Sequence, residues 1–179
     1  MRACLDACVL FPTVLREVLT GIAALGLYQP IWSERILEEW ARATVKLGPG
    51  AETQARGEIA VLKAHFPNAS AQPRAGDMAR LHLPDEDDIH VLASAIAGSA
   101  DVIVTLNAKD FPRQTLAFEG VKRLSPDEFL MDRWMEAPAA VEQVVKDVHG
   151  VAVQMIGEDI ALRALMKRAR LPHLGKALA

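Results

Sequence analysis

DVIVTL, from Asp101 to Leu106, is apolar, rich in β-branched residues and bounded by turn residues, which makes it the clearest strand in the chain. Just before it, Ile89, Leu92, Ala93 and Ile96 repeat at helical spacing, and Gly98 closes the run. A helix feeding a short, wholly apolar strand is the mark of a βαβ unit, whose strands are buried on both faces. The same alternation is legible upstream. ACLDACVLF reads as a buried strand with Asp6 inside it, and Pro12 then opens a helix, TVLREVLTGIAALG, that stops at Gly26. Leu27 to Trp32 is a second short strand containing Pro30. Ser33 is the N-cap of ERILEEWARATVKLG, which ends at Gly48-Pro49-Gly50, and residues 51–65 form a further helix. Pro67 to Arg80 reads as loop or frayed helix, and Gly120 to Leu124 as a last strand. The expected fold class is therefore α/β with a central parallel sheet. From Ser125 onward no strand signal remains, and residues 125–135, 138–149 and 157–170 read as helices. The expected division is one domain over residues 1–124 and a helical C-terminal extension over 125–179.

In such a sheet ligands collect at the carboxyl ends of the strands, near a switch in strand order. LPDEDDIHVLASAIA places Asp85, Glu86, Asp87 and Asp88 in a row before the apolar run. One or two acids suffice to cap a helix and offset its dipole. Asp85, after Pro84, is the capping candidate; Asp88, at the margin of the apolar stripe, is the candidate for chemistry, and Glu86 and Asp87 are read as solvated. Asp6 is a single charge in an apolar segment, costly unless it is paired or bound to a cation. On the helix after Ser33 the apolar stripe is Ile36, Leu37, Trp40 and Thr44. Glu39 lies about 115° and Glu38 about 145° from its centre, which favours Glu39 as the acid that reaches the sheet edge. Asn107 and Asp110 follow the DVIVTL strand. Asp6, Glu39, Asp88, Asn107 and Asp110 offer only oxygen donors, which suit Mg²⁺ or Mn²⁺ rather than zinc. A cation there can activate water against a phosphodiester.

Composition narrows the field. Half of the 179 residues are apolar and 5% aromatic, which excludes global disorder, and the formal net charge of -3 argues against tight, non-specific nucleic-acid binding by the whole molecule. Cys4 and Cys8 read as free buried thiols. No apolar run reaches membrane-spanning length, and Asp6 interrupts what would be a signal segment, so a cytoplasmic protein is expected. No phosphate-binding glycine loop or nucleophile elbow is present. Beyond Asp159 the chain carries Arg163, Lys167, Arg168, Arg170 and Lys176 and no acidic side chain, leaving a local basic face.

LDACVLFP around Asp6, WSERILEEW around Glu39 and LPDEDDIHVLASAIAGSADVIVTLNAKDFP from Leu83 to Pro112 together resemble the PIN-domain ribonucleases, the fold of VapC-type toxins. The resemblance covers roughly residues 1–124, and the tail is similar to the C-terminal extension of a VapC-like subgroup. It implies a three-layer α/β/α fold with a central parallel sheet and metal-dependent cleavage of RNA. It further implies a toxin restrained by an antitoxin protein, allows a homodimer, and involves no membrane. Carried over by position, the principal acids are Asp6, Glu39 and Asp88, with Asp110 assisting. Asn107 stands where many members carry Asp, which bears on the second metal position. The alternative expectation is a catalytically weak or inactive PIN module that binds RNA or a protein partner. A phosphohydrolase with Asp6 as nucleophile is disfavoured, because Cys8 stands where its second Asp would be.

Overall fold

The structure is a computed structural model that describes residues 1–179. Four strands, β1 (Arg2–Leu5), β2 (Gln29–Ile31), β3 (Val102–Val104) and β4 (Lys122–Leu124), form one all-parallel sheet in the order β2-β1-β3-β4. Ala3 pairs with Pro30 on one side and Val102 on the other, so β1 and β3 are central. Their residues Ala3, Cys4, Leu5, Val102, Ile103 and Val104 are all buried, as a strand covered on both faces requires. Pro30 is tolerated because β2 is an edge strand, where a missing N–H breaks no ladder. From β1 the chain moves first to β2 on one side and later to β3 on the other. The crevice at this reversal lies beyond Leu5 and Val104.

Eleven helices flank the sheet: α1 (Ala7–Leu10), α2 (Thr13–Ala24), α3 (Glu34–Ala43), α4 (Ala51–His65), α5 (Ala75–Arg80), α6 (Ile89–Ala97), α7 (Arg113–Phe118), α8 (Pro126–Glu136), α9 (Pro138–Ile156), α10 (Leu162–Arg168) and α11 (Pro172–Ala177). Ser33 caps α3 as expected, its Oγ accepting from the Ile36 N–H at 3.3 Å. No helix is long and apolar enough to cross a membrane.

The first strand needs correction. It stops at Leu5, and Asp6 is not inside it but at its end, as the N-cap of α1. The Asp6 N–H still donates to the Val104 carbonyl, while the Asp6 carbonyl already accepts from Val9 and Leu10. Ala7 to Leu10 is apolar enough for either element, and periodicity cannot separate a short buried helix from a strand. Likewise α6 is wider in its burial than a stripe: every residue from Ile89 to Ala95 is buried, His90 included. Downstream, α9 runs past the expected end at residue 149 because Gly150 faces open space and does not break it; Gly157, in the left-handed region at φ 73°, does. Neither α7 nor α11 was signalled by the pattern; both are only six residues long.

The hydrophobic cluster is continuous from sheet to tail: Phe129, Leu130, Val141, Val145, Met166 and Leu174 belong with Leu5 and Val104 to one group of 45 buried residues. The Tyr28 ring meets Phe129 edge-on at 4.8 Å, and its hydroxyl donates to the Leu19 carbonyl at 2.8 Å. Helix α9 packs on α2 at Gly21, where an added Cβ would lie 2.7 Å from Val144 Cγ1. A β-branched valine in a helix has little rotamer freedom with which to yield. Gly21→Val is therefore expected to lower stability by about 1–3 kcal/mol. Thermal melts of the single variant and of the same change on a Val144→Ala background should show partial recovery in the double variant; no recovery would mean α9 does not bear on Gly21.

Candidate functional site

The crevice at the strand ends collects carboxylates from four separate segments. Asp6 leaves β1, Glu39 sits on α3, Asp85 caps and Asp88 ends a 3-10 turn (Glu86–Asp88) before α6, and Asp110 lies in the loop after β3. Ligand-capable oxygens of Asp85, Asp88 and Asp110 lie within 4.8 Å of one another. A 3-10 turn eclipses side chains three residues apart, which stacks Asp85 with Asp88. Asp85 keeps its expected structural role, since its Oδ1 accepts from the Asp87 N–H at 3.0 Å. It nevertheless belongs to the acid group, where the sequence places Asp88 alone of the four consecutive acids; the i, i+3 spacing is the signal for it.

Asp6 is buried. Its Oδ2 accepts from the Thr105 hydroxyl at 2.6 Å and from the Cys8 thiol at 3.1 Å. Both of these hydrogen bonds fall on Oδ2 and none on Oδ1. Both donors also serve the β3 exit: the Asn107 N–H donates to Thr105 Oγ1, and the Leu106 N–H to Cys8 Sγ. This small network fixes the ends of β1 and β3 against each other. Neither Thr105 nor Cys8 was singled out as part of the site from the sequence.

Asp88 carries the electrostatic strain. Desolvation, followed by the charges of Asp6, Asp85, Asp110 and Glu39, pushes its carboxyl up to about 6. One relief is local: Asn107 Nδ2 donates to Asp88 Oδ2 at 3.1 Å. Asn107 is thus in the site as expected but presents its amide nitrogen, and would have to flip to offer a ligand oxygen. Asp110 is buried, with Lys109 Nζ at 3.8 Å from its Oδ2.

Glu39 stands outside the tight trio. Its Oε1 lies 2.8 Å from Nε2 of the buried His90 and 3.3 Å from Arg35 Nε. The His90 contact lacks hydrogen-bond alignment, and neither ring nitrogen has a hydrogen-bond partner. Arg35 also reaches the Asp87 carbonyl at 3.4 Å, tying α3 to the acidic turn. Glu38 faces the other way, held by Arg42 and Arg56, whose hydrogen bonds pull its carboxyl down to about 2. Of the two, Glu39 is the one held on the side of the acidic turn.

The donor set fits a hard divalent cation. All candidate ligands are oxygens, the cationic groups close to them are Lys109 beside Asp110 and Arg35 beside Glu39, and the one nearby sulfur is not a thiolate. Burial and the adjoining Asp6 charge push the Cys8 thiol up to about 12. The site is distinct from a groove of about 700 Å³ that lies between α2, α4 and α9.

Among known proteins, the sequence model of the family described as "PIN domain" matches residues 2–109. The chain is also 47% identical over 57 residues to a protein of Mycobacterium tuberculosis (strain ATCC 25618 / H37Rv) named "Putative ribonuclease VapC50", a match spanning 30% of this chain and 34% of that protein. The chain thus covers about a third of the length of the curated relative it matches. No solved structure matches it.

Proposed function

We propose that this chain, which belongs to the PIN-domain family, is an endoribonuclease that hydrolyses RNA phosphodiester bonds with Mg²⁺ or Mn²⁺ as cofactor. The observation that carries this reading is the trio Asp85, Asp88 and Asp110 within 4.8 Å, with Asp6 and Glu39 beside it, at the carboxyl edge of a parallel sheet. Asp6, Asp88 and Asp110, with Asp85, would hold the cation. Bound there, it would supply an activated water and charge neutralisation at the leaving oxygen. Thr105 and Cys8 orient Asp6 by occupying one of its oxygens, which leaves the other free. Arg35 and His90 keep the Glu39 carboxylate at the margin of the group. Lys109, exposed beside Asp110, is placed to meet a phosphate.

The partial likeness to a protein named "Putative ribonuclease VapC50" supports the same reading; the resemblance to VapC-type toxins adds the role of a toxin held by an antitoxin partner. Free Cys4 and Cys8 fit a reducing, cytoplasmic setting. Within the chain, residues 1–124 would carry the chemistry and 125–179 a supporting role in binding. One observation favours a second reading, an RNA-binding module of low activity: Asn107 gives Asp88 a hydrogen bond where a carboxylate would give a charge.

The test is RNA cleavage by wild type and Asp6→Ala, each with Mg²⁺ and with EDTA. Cleavage only by wild type with Mg²⁺ is expected. Equal cleavage in all four conditions would defeat the proposal, and RNA binding without turnover under saturating Mn²⁺ would favour the second reading.

A further inference from the structure

The acid site itself offers a phosphate backbone little beyond Lys109 and the cation it would hold, so cationic groups elsewhere on the molecule matter for gripping an RNA strand. Most of the protein's cations are already engaged. Arg16, Arg35, Arg42, Arg56, Arg80, Arg113 and Arg133 are ion-paired, and Arg2 and Arg123 donate hydrogen bonds. The helical hairpin of α10 and α11 is different. Arg163, Lys167, Arg168, Arg170 and Lys176 are all exposed, and none of them makes an ion pair or a side-chain hydrogen bond. The hairpin is not loose: Leu165, Met166, Leu171 and Leu174 are buried beneath it.

Its position follows from the fold. β4 is parallel to β3 and ends at the same edge, so Ser125, the N-cap of α8, starts at the edge that carries the acids. Asp127, in the first turn of α8, is buried and accepts from the N–H groups of His173 (2.9 Å) and Leu174 (3.0 Å) and from His173 Nδ1 (2.7 Å). That carboxylate pins the start of α11, and therefore the hairpin turn, to the site edge. The turn is where the charge concentrates: Lys167 and Arg168 end α10, and Arg170 lies in the turn that leads to α11, whose start Asp127 holds. Arg170 occupies the left-handed position after α10, at φ 65°, a place glycine usually takes.

We propose that the α10–α11 turn is a phosphate-binding surface that holds single-stranded RNA running past β4 into the acid site. The assignment rests on the nuclease reading above, and names where its substrate is gripped. It places Lys167, Arg168 and Arg170 on backbone phosphates, so their contribution is independent of sequence and sensitive to salt.

The test is fluorescence anisotropy of a labelled single-stranded RNA oligonucleotide with the full chain in EDTA, from about 50 mM to about 200 mM salt. The variant is Lys167→Gln, Arg168→Gln, Arg170→Gly, in which glycine suits the backbone at 170 and guards against misfolding. A control removes the same charge from α3 and α4: Arg42→Gln, Arg56→Gln, Lys63→Gln. The hairpin variant should bind at least about tenfold more weakly, with a salt slope shallower by about 2, while the control keeps the wild-type slope. With Mg²⁺, its cleavage of a substrate too short to reach the hairpin should be unchanged. An unchanged slope in the hairpin variant, or an equal loss in the control, would overturn the assignment; so would loss of a co-purifying protein with RNA binding intact. If wild type cleaves RNA while the slope stays put, only the hairpin assignment fails. If wild type neither binds nor cleaves RNA, the nuclease reading fails with it.

Discussion

Asp88→Asn is expected to make the metal-free protein more stable at neutral pH while abolishing its metal-dependent cleavage. In the folded chain the Asp88 carboxyl is pushed up to about 6, against an ordinary value of 3.8. Between those values the folded state binds more protons than the unfolded one, so stability falls as pH rises through this window and stays low above it. The full shift would correspond to about 3 kcal/mol. Because the group is partly solvated, about 1–2 kcal/mol is the realistic size. Asparagine removes the repulsion and keeps a partner for Asn107. Melting temperature should rise by roughly 2–6 °C at pH 7.5 without metal, and the difference should close as pH falls toward 4. Saturating Mg²⁺ should stabilise wild type by mass action and leave the variant unmoved. Outer partners of metal sites already cost 10–100-fold when removed, so loss of this acid should reduce cleavage by at least about a hundredfold. A variant less stable than wild type in EDTA would mean Asp88 is a structural residue and not a strained one.

Arg16→Ala is expected to give the largest loss of stability. Arg16 is buried, and its Nη1 donates to the carbonyls of Leu10 (2.8 Å) and Phe11 (3.3 Å) while Nη2 pairs with Glu58 Oε2 at 2.6 Å. Its guanidinium also lies over the Trp40 ring, 4.5 Å from the centroid. Desolvation lowers its pKa, and the carboxylates of Glu58 and Glu17 oppose that shift. Those two carbonyls close α1, the turn that Asp6 opens, so one side chain braces the far end of the site's first segment. Removing it strands two carbonyls and leaves Glu58 unpaired. Breaking a fully buried pair costs 3–5 kcal/mol; with Glu58 partly exposed, about 2–4 kcal/mol is expected, or roughly 5–15 °C in melting temperature. Differential scanning calorimetry decides it. A loss within 2 °C would show that α1 is held by its apolar contacts alone.

Much of this architecture was legible from local pattern. DVIVTL and the cap at Ser33 each carry a signal confined to a few residues, and each stands where expected; Gly48 ends a 3-10 turn (Thr44–Leu47) that follows α3, which itself stops at Ala43. The Glu39–Glu38 distinction was legible because a helix's periodicity converts one residue of offset into a direction. What escaped the pattern depends on contacts distant in sequence. Asp6 Oδ2 meets Thr105 across 99 residues, and Asp127 meets His173 across 46; no periodicity announces either pairing. ACVL was misread as strand because a four-residue apolar run fits both elements, and the decision is made by the turn at Asp6. Asp85 reads as a cap alone because capping and clustering draw on the same residue type; here one carboxylate both caps the turn and lies within the acid group.

Whether these acids hold a divalent cation is read from the anomalous scattering of a crystal soaked in Mn²⁺. A peak is expected in contact with Asp88 and Asp110, reached also by Asp6 Oδ1, and absent from Asp88→Asn crystals treated alike. No peak there in wild type, or an equal peak in the variant, would contradict cation binding by these acids.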